Sequence, residues 1–341
     1  MGQITLQDLA YELNISVSTV SKALKGYPDV SEKTRKAVVE LAEKLNFSPN
    51  VVASNLRTQN TKTIGVIVPT IVHHFFSNVI DGIIKEAEAN GYMVLLLQSN
   101  DNYEMEKKQL NLLIQQQVDG ILISLSVQTK NVEHIARIQK RGIPLVMYDK
   151  VSKNINCSKV IIDDKKAAYD AVSYLIRKGY KRIAYFGGSL VAQNFSQRLA
   201  GYKQALKEYR IPFDEDLTYL CDAKSEYQDG YTNGEKLIKH HAIGGVDAVF
   251  AVTDVIAVGV SKYLNDNGIV IPDDVAVFGF SNWFMSSVVT PSLSTVNQPG
   301  FEMGRKSIEL LLKEIQQKND NEKPKPERFI LPTDLIIRQS T

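Results

Sequence analysis

Apolar side chains recur every three to four positions through the first 47 residues, which is the spacing of one face of an α-helix. The inward positions form three stripes: Leu6, Leu9, Ala10 and Leu13; Val17, Val20 and Leu24; and Thr34, Val38, Leu41, Ala42 and Leu45. Thr5, Ser16 and Ser31 precede the stripes, and hydroxyl side chains of this kind cap helix N-termini. Residues 1–47 therefore predict a small all-α domain of three short helices.

From Thr63 onward the pattern changes to short apolar runs that alternate with amphipathic segments. These runs are 64–69, 93–98, 120–125, 144–149, 159–164, 182–188, 247–252 and 275–280. Near-continuous apolar strands separated by helices indicate parallel sheets that are covered on both faces. One such unit precedes residue 160 and another follows it, so we predict an α/β core of two doubly wound parallel-sheet subdomains.

The C-terminal segment suggests that the chain crosses between these subdomains more than once. The charged, proline-containing connection "EKPKPE" (322–327) leads to a last strand pair around Phe329 and Leu335. We assign 62–160 with 291–320 to the N-terminal subdomain, and 161–290 with 321–341 to the C-terminal subdomain.

Composition narrows the class of protein. The 341 residues are 44% hydrophobic and 23% charged, and no stretch approaches 18 continuous apolar residues. The N-terminus lacks the basic and apolar regions of a signal peptide, so we expect a cytoplasmic protein with no membrane association. The two cysteines, Cys157 and Cys221, are far apart and lack metal-ligand spacing, which favours buried free thiols.

Charge alone does not identify a nucleic-acid partner, because the net charge is +2 and the first 60 residues hold seven Lys/Arg against six Asp/Glu. The arrangement is more informative: two short helices joined by a tight turn, the second with a polar outer face, form a helix-turn-helix pattern. That face carries Ser16, Ser18, Thr19, Ser21, Lys22 and Lys25. Hydroxyls and cations suit phosphate contacts, and Ser18 and Lys22 lie one turn apart, where they can reach base edges. The alternative is a three-helix domain with a solvated face.

The segment 48–61 predicts a conditional helix. Ser48 is an N-cap candidate, Pro49 stands at the first helical position, and Val52, Ala53 and Leu56 share one face. A helix of about eight residues is too short to be stable alone in water. We therefore expect it to need a partner, and to be mobile without one.

The whole chain resembles the LacI/GalR family of bacterial transcription repressors. The resembling segments, in order, are 5–69, "QRLAGYKQAL" (197–206), "TDVIAVG" (253–259), "VAVFGFSNW" (275–283) and "PSLSTVNQP" (291–299). The resemblance implies a helix-turn-helix headpiece (1–47), a hinge helix and linker (48–61), and a periplasmic-binding-protein-like core that closes on a small effector. It also implies a homodimer on a palindromic operator, and since the sequence shows no leucine heptads at "RQST" we expect a dimer without a tetramerising tail.

The resemblance assigns DNA-binding roles residue by residue. Val17, Ser18 and Lys22 stand where the family reads bases, with lysine at a position that is more usually arginine. Asn50, Ala53 and Leu56 match hinge positions that enter the minor groove, and Leu56 is the side chain inserted between base steps.

The candidate effector contacts lie in loops that follow strands, because open parallel sheets bind ligands at the carboxyl ends of their strands. Phe75 and Phe76 offer an apolar platform, although core packing is the more ordinary use of such residues. Asp149 and Asp254 follow strands and can accept hydroxyl hydrogen bonds; helix capping is the alternative for Asp254. The resemblance adds Arg198, whose alternative is a surface salt bridge.

One departure from the family leaves the effector open. An aspartate commonly follows "GF" in the family, but here Ser281, Asn282 and Trp283 follow. Asn282 can donate and accept, and Trp283 can stack on a sugar or pack. Ser124 and Gln298 complete the candidate set. A sugar, a sugar phosphate or a nucleobase-like molecule all fit, and either induction or co-repression is consistent with the resemblance.

Other functional classes have less support. "FGGS" (186–189) lacks the spacing of a phosphate-binding loop, and His73 and His74 have no nucleophile at useful spacing, so we predict no enzyme, no catalytic residue, no metal and no cofactor. A small-molecule-binding protein without a DNA role would share the core but not residues 1–60. Control by a protein co-effector remains an alternative. The sequence thus predicts an allosteric regulator, most often of carbohydrate metabolism in this family.

Overall fold

The computed structural model describes residues 4–47 and 60–341, apart from the side chains of residues 240–244. The chain forms two compact units that divide between Thr61 and Lys62. The predicted hinge helix, with Asn50, Ala53, Leu56 and the expectation that it is mobile, lies outside the described residues.

The first unit contains α1 (Leu6–Glu12), α2 (Val17–Leu24) and α3 (Glu32–Lys44). Each helix has the predicted N-cap. The Thr5 hydroxyl accepts from the Asp8 backbone N–H at 3.3 Å, and the Asp8 carboxylate accepts from the Thr5 N–H at 2.7 Å, which is a capping box. The Ser16 and Ser31 hydroxyls accept from backbone N–H groups three residues later, at 3.1 and 3.2 Å.

The predicted apolar stripes meet in one small core. Leu9, Val20 and Val38, one from each helix, are completely buried. The turn between α1 and α2 depends on Asn14, whose φ of 49° lies in the left-handed region that asparagine tolerates. The helix-turn-helix arrangement is therefore fixed by local capping and turn chemistry as well as by burial.

The second unit contains two six-stranded sheets. The first sheet has the order β11-β5-β4-β3-β1-β2, and its strands are β1 (Thr63–Val68), β2 (Met93–Gln98), β3 (Gly120–Ile123), β4 (Leu145–Tyr148), β5 (Ser158–Ile162) and β11 (Arg328–Leu331). The second sheet has the order β12-β10-β9-β8-β6-β7, and its strands are β6 (Ile183–Gly187), β7 (Thr218–Leu220), β8 (Ala248–Ala251), β9 (Ala276–Phe280), β10 (Ser294–Asn297) and β12 (Asp334–Ile336). Every pairing is parallel except that of β10 with β12.

Helices cover both sheets, as the buried strands predict. They are α4 (His74–Ala89), α5 (Tyr103–Gln115), α6 (Glu133–Lys140), α7 (Asp164–Arg177), α8 (Gln193–Glu208), α9 (Glu226–Gly244), α10 (Asp254–Asp266) and α11 (Gly300–Asn319), with short 3₁₀ turns at Glu215–Leu217 and Phe284–Ser287. α4 and α11 pack at close range: a Cβ on Gly304 would lie 2.0 Å from the Val79 carbonyl oxygen. The two helices also meet at the start of α4, where a Cβ on Gly300 would lie 3.0 Å from the Phe75 carbonyl oxygen.

Sheet membership corrects the predicted assignment of two strands. β10 lies within 291–320, the range assigned to the N-terminal subdomain, but Thr295 pairs with Gly279 in the second sheet. β11 lies within 321–341, the range assigned to the C-terminal subdomain, but Phe329 pairs with Val160 in the first sheet. β11 and β12 therefore do not pair with each other. The composition of a short strand does not indicate which sheet edge is open to receive it, and that edge decides its partner.

Two further predictions, repeated crossing between the sheets and buried free cysteines, are confirmed. The chain does cross between the sheets repeatedly, after β5, after β10 and after β11. Cys157 and Cys221 are free and buried. No helix in the described part of the chain is long and apolar enough to span a bilayer.

Candidate DNA-binding face and ligand cleft

The outer face of α2 carries the predicted DNA-binding side chains. Val17 is 41% exposed, and Ser16, Ser18 and Lys22 are exposed. Thr19 and Ser21 are half-buried at the edge of this face. Ser18 and Lys22 lie one helical turn apart on accessible surface, so the geometry permits the contacts expected of them.

A hydroxyl cluster opens this helix. The Ser16 Oγ lies 2.7 Å from the Ser18 Oγ and 2.8 Å from the Thr19 Oγ1, while it also accepts the Thr19 backbone N–H. Ser16 is therefore committed to capping α2. Direct DNA contact by Ser16 stays a prediction; the hydroxyl contacts orient the neighbouring side chains at the helix N-terminus, a position that favours phosphate.

Lys22 has a partner that the sequence pattern did not indicate. Its Nζ donates to the carboxylate of Asp29, seven residues later, and both side chains are about half exposed. The hydrogen bond to Asp29 raises the pKa of Lys22, and the same bond lowers the pKa of Asp29. Gly26, with a φ of 72°, turns the chain so that the two meet. A DNA contact by Lys22 must replace this exposed ion pair.

The core contains a cavity of about 660 Å³ at the carboxyl ends of strands from both sheets. On the first-sheet side it is lined by the segments after β1 and β2, including Pro69, Phe75 and Asp101. On the second-sheet side it is lined by the segments after β7, β8 and β9, including Glu226 and Trp283. This is the location at which doubly wound sheets bind ligands. We call this cavity the polar chamber.

Asp149 is the point at which several predicted effector residues converge. It follows β4, is buried, and has a φ of 54°. Its carboxylate is approached by the Ser124 hydroxyl at 3.5 Å, by the Gln298 amide at 3.3 Å, and by the amide of Asn194, on α8, at 3.5 Å. These contacts are long, so the carboxylate keeps acceptor capacity for a ligand hydroxyl. Burial raises the pKa of Asp149, with Lys150 and Arg198 acting in the opposite direction.

Arg198 is buried rather than part of a surface salt bridge. Only 3% of it is exposed. Its Nε donates to Asp164 at 2.8 Å, one terminal nitrogen donates to the Val252 carbonyl at 2.6 Å, and its guanidinium carbon lies 3.6 Å from the centre of the Phe280 ring. Burial raises the pKa of Asp164 to about 6 although Arg198 acts against that shift. The arginine thus holds α7, α8 and the end of β8 together; direct effector contact by Arg198 stays a prediction.

Asp254 has a structural role in this state of the molecule. Its buried carboxylate accepts from the Trp283 backbone N–H at 2.6 Å, from the Ser286 hydroxyl at 2.9 Å and from the Thr295 hydroxyl at 2.6 Å. Thr253, not Asp254, caps α10 by accepting the Ile256 N–H at 3.3 Å. Asp254 therefore anchors the segment after β9, and three protein donors already occupy its carboxylate.

Asn282 is similarly engaged within the protein. Its side-chain nitrogen donates to the side-chain oxygen Oδ1 of Asn297 at 3.1 Å, and its own Oδ1 accepts from Arg338 at 2.8 Å. The neighbouring Trp283 instead lines the polar chamber. Asn282 and Trp283, which stand where the family usually has an aspartate, therefore have different roles. Asn282 holds the C-terminal strand in place, and Trp283 faces the ligand space.

Phe75 and Phe76 were predicted either to pack in the core or to form an apolar platform for the effector. Both are 5% exposed and belong to the core, and their rings meet edge to face at 5.1 Å between centroids. Phe75 also lines the polar chamber. Phe76 lies beneath Lys150, whose Nζ is 5.1 Å from the centre of its ring.

The cleft holds charged residues that the sequence analysis missed. Lys150 Nζ lies 3.4 Å from Asp101 Oδ1, and both side chains are nearly buried. Asp101 and Lys150 follow β2 and β4, so a search for every charged residue just beyond a strand would have found them.

Glu226 and His73 face each other from the two halves of the cleft. Glu226 Oε2 accepts from the Thr253 hydroxyl at 2.9 Å, and His73 Nε2 lies 3.9 Å from the same oxygen. Burial raises the pKa of Glu226 to about 7. Burial, assisted by Lys150, lowers the pKa of His73 to about 4. Near neutral pH the histidine is therefore neutral, and Glu226 is partly protonated. Glu226 stands at the start of a helix with no motif around it, so only the fold reveals its position.

Comparison with known proteins agrees with this architecture. Residues 5–50 match the family model of bacterial regulatory proteins, lacI family, and residues 61–339 match that of periplasmic binding proteins and sugar binding domain of LacI family. The chain is 33% identical over 339 residues to catabolite control protein A of Priestia megaterium, covering 99% of both chains. It is 30% identical over 340 residues to the HTH-type transcriptional repressor PurR of Vibrio parahaemolyticus, covering 98% of both. The lac repressor dimer bound to operator and the anti-inducer ONPF has the same fold, with a TM-score of 0.86, 23% identity and 99% coverage of each chain.

Proposed function

The chain belongs to the lacI family of bacterial regulatory proteins, which are DNA-binding transcription regulators, and we propose that it is a repressor controlled by a sugar or sugar derivative. The effector binds in the cleft between the two sheets, in the polar chamber and against Asp149. The observation that carries this proposal is the buried carboxylate of Asp149, on which weakly held donors converge from both halves of the core.

The chemistry of the cleft supports a polyhydroxyl effector. Asp101, Asp149 and Glu226 supply acceptors for hydroxyl groups, and Phe75 and Trp283 supply apolar surface for a sugar ring. The family model that spans the core is described as a sugar binding domain.

The DNA-binding role is proposed for a homodimer in the bacterial cytoplasm. α2 reads one half of a palindromic operator through Val17, Ser18 and Lys22, while the hinge residues Asn50, Ala53 and Leu56 enter the minor groove. The similarity to the lac repressor dimer bound to its operator supports this arrangement.

Control requires that the effector bind one state of the core better than another. A ligand shifts an equilibrium only by its differential affinity for the two states, and such couplings are typically about 5- to 150-fold. Three crossovers connect the sheets, so a ligand that contacts Asp149 and Asn194 together changes the relative position of the two halves.

The experiment has two stages with the full chain. Selection from a random DNA pool should yield a palindromic site, and a thermal-shift screen of sugars, sugar phosphates and nucleobases should yield a ligand. Asp149→Asn keeps the side-chain shape, and asparagine tolerates a positive φ. This variant should bind the selected site normally and lose the response to the ligand. Recovery of no preferred DNA sequence, or an unchanged response in Asp149→Asn, would contradict the proposal.

A further inference from the structure

A second cavity of about 510 Å³ lies in the core between the segments after β3 and β4 and the start of α8. Three of its lining residues are lysines, Lys130, Lys150 and Lys153, and none is an aspartate or glutamate. The remaining lining includes hydroxyls and amides, such as Ser152 and Gln197. The polar chamber has the opposite balance of charge, because its lining includes three carboxylates and one lysine. We call the second cavity the lysine pocket.

Two of the three lysines that line the lysine pocket are unpaired in the described part of the chain. Lys130 and Lys153 are exposed, and neither has an ion pair or a side-chain hydrogen bond among the residues that the structure describes. Lys150 is 6% exposed, and its ammonium is already paired with Asp101 at 3.4 Å and lies over the Phe76 ring, so it contributes less positive potential than the other two. An anion that binds near two unpaired ammonium groups is attracted by both.

The N-terminus of α8 adds to the positive potential. This 16-residue helix begins after Ala192, which provides no side-chain cap, and its first turn has no acidic residue. Ala192, Gln193 and Ser196 line the pocket. A helix N-terminus carries partial positive charge and unpaired backbone N–H groups, both of which favour an anion. The lysines and the helix terminus are independent features that favour the same charge.

The loop that carries Lys130 is held in place by buried carboxylates. Glu106 accepts from the Ser126 backbone N–H at 2.6 Å and from the Thr129 hydroxyl at 3.0 Å. Asp101 accepts from the Val127 N–H at 2.9 Å. The loop is therefore ordered without a ligand, and less entropy is lost when an anion binds beside it.

We propose that the lysine pocket binds a compact dianion of the phosphate class. Lysine binds phosphate as a point charge, and the pocket offers two lysines that are unpaired within the described ranges, Lys130 and Lys153, together with a helix terminus. The dianion has two possible sources. It is either the phosphate ester of a sugar whose hydroxyls contact Asp149, the residue next to Lys150, or a separate small phosphate compound. The test below reads phosphate binding without DNA, so it is independent of the proposed regulatory function.

The first arm measures inorganic phosphate binding to the full chain by calorimetry, at constant ionic strength adjusted with chloride. The double variant Lys130→Ala, Lys153→Ala should weaken phosphate binding about tenfold or more, because charge-assisted hydrogen bonds are lost. The matched control is Lys318→Ala, Lys323→Ala, which removes two exposed lysines that do not line the pocket. The control should bind phosphate as the wild type does. Equal weakening in both double variants, or no phosphate binding by the wild type, would overturn the proposal.

The second arm separates the two sources. A hexose 6-phosphate is compared with its parent hexose and with inorganic phosphate, in the wild type, in Asp149→Asn and in the pocket double variant. A single ligand that contacts both Asp149 and the lysine pocket should be weakened by both changes. A separate phosphate compound should be weakened by the lysine substitutions and not by Asp149→Asn. Either pattern supports the lysine pocket, whereas phosphate-ester binding that is insensitive to Lys130 and Lys153 contradicts it.

Discussion

Glu226 provides a sharp test of the electrostatics inside the cleft. It opens α9 and accepts from the Thr253 hydroxyl, and His73, Lys150, Asp101 and Arg198 are close enough to influence it. The substitution Glu226→Gln retains an oxygen that accepts from Thr253 and removes only the titrating charge. We expect this variant to stabilise the core at neutral and alkaline pH.

The magnitude follows from the pKa of Glu226, which burial raises from 4.5 to about 7. The folded state holds this proton more tightly than the unfolded state does, so stability falls as pH rises between those two values and is constant above them. A difference of that size corresponds to about 3 kcal/mol. The free energy of unfolding of Glu226→Gln should therefore equal that of the wild type near pH 4.5 and exceed it by up to about 3 kcal/mol at pH 8.

Denaturant unfolding at several pH values measures this difference. Trp283 is the single tryptophan of the chain and lies in the polar chamber, so its fluorescence follows unfolding of the core without interference from the N-terminal unit. Glu88→Gln, at an exposed carboxylate of α4, is the matched control and should parallel the wild type. A Glu226→Gln difference that is the same at every pH, or a variant less stable than the wild type at pH 8, would refute the reasoning.

Four further substitutions test the buried ion pair and the DNA-binding residues. Arg198→Ala should lower the free energy of unfolding by about 3–5 kcal/mol, because it leaves Asp164 buried without its partner. If urea titrations show almost no loss of unfolding free energy, the ion pair is exposed to solvent and the reasoning is wrong. Asp29→Asn should free Lys22 from its ion pair and tighten operator binding at low salt. Lys22→Ala should reduce discrimination against wrong bases by about tenfold. If Lys22 contacts only phosphate, the Lys22→Ala variant will instead lose the same affinity for matched and mismatched operators in binding assays. Leu56→Ala should weaken operator binding while effector affinity is retained, and unchanged gel-shift titrations would contradict the wedge role.

The sequence predicted those features that depend on neighbours in the chain. The caps of α1, α2 and α3 are local hydrogen bonds, and the near-continuous apolar runs directly reflect burial on two faces. β7 and β10 escaped, because their sequences, TYL and STVN, contain polar residues and do not form continuous apolar runs. The exchange of β10 and β11 between the sheets depends on which edges are free, and a single sequence does not carry that information.

The position of the candidate effector residues was predictable from the sequence, but their long-range hydrogen-bond partners were not. Ser124, Asp149 and Gln298 meet as expected because strand ends converge at one edge of each sheet. The hydrogen-bond partners of Asp254 and Asn282 were not predictable, since they join residues many positions apart in sequence. Ligand-facing and anchoring carboxylates have the same residue type and the same location after a strand, and only the donors around each one distinguish them.

The central claim is that effector and operator binding are coupled through the core, and a complete thermodynamic cycle tests it most directly. Operator affinity is measured with and without saturating effector, and effector affinity is measured with and without saturating operator. We expect effector to change operator affinity by the same factor by which operator changes effector affinity, because coupling free energies are reciprocal. In Asp149→Asn this factor should be one. An effector that binds the wild-type core with equal affinity in the presence and absence of operator would contradict it.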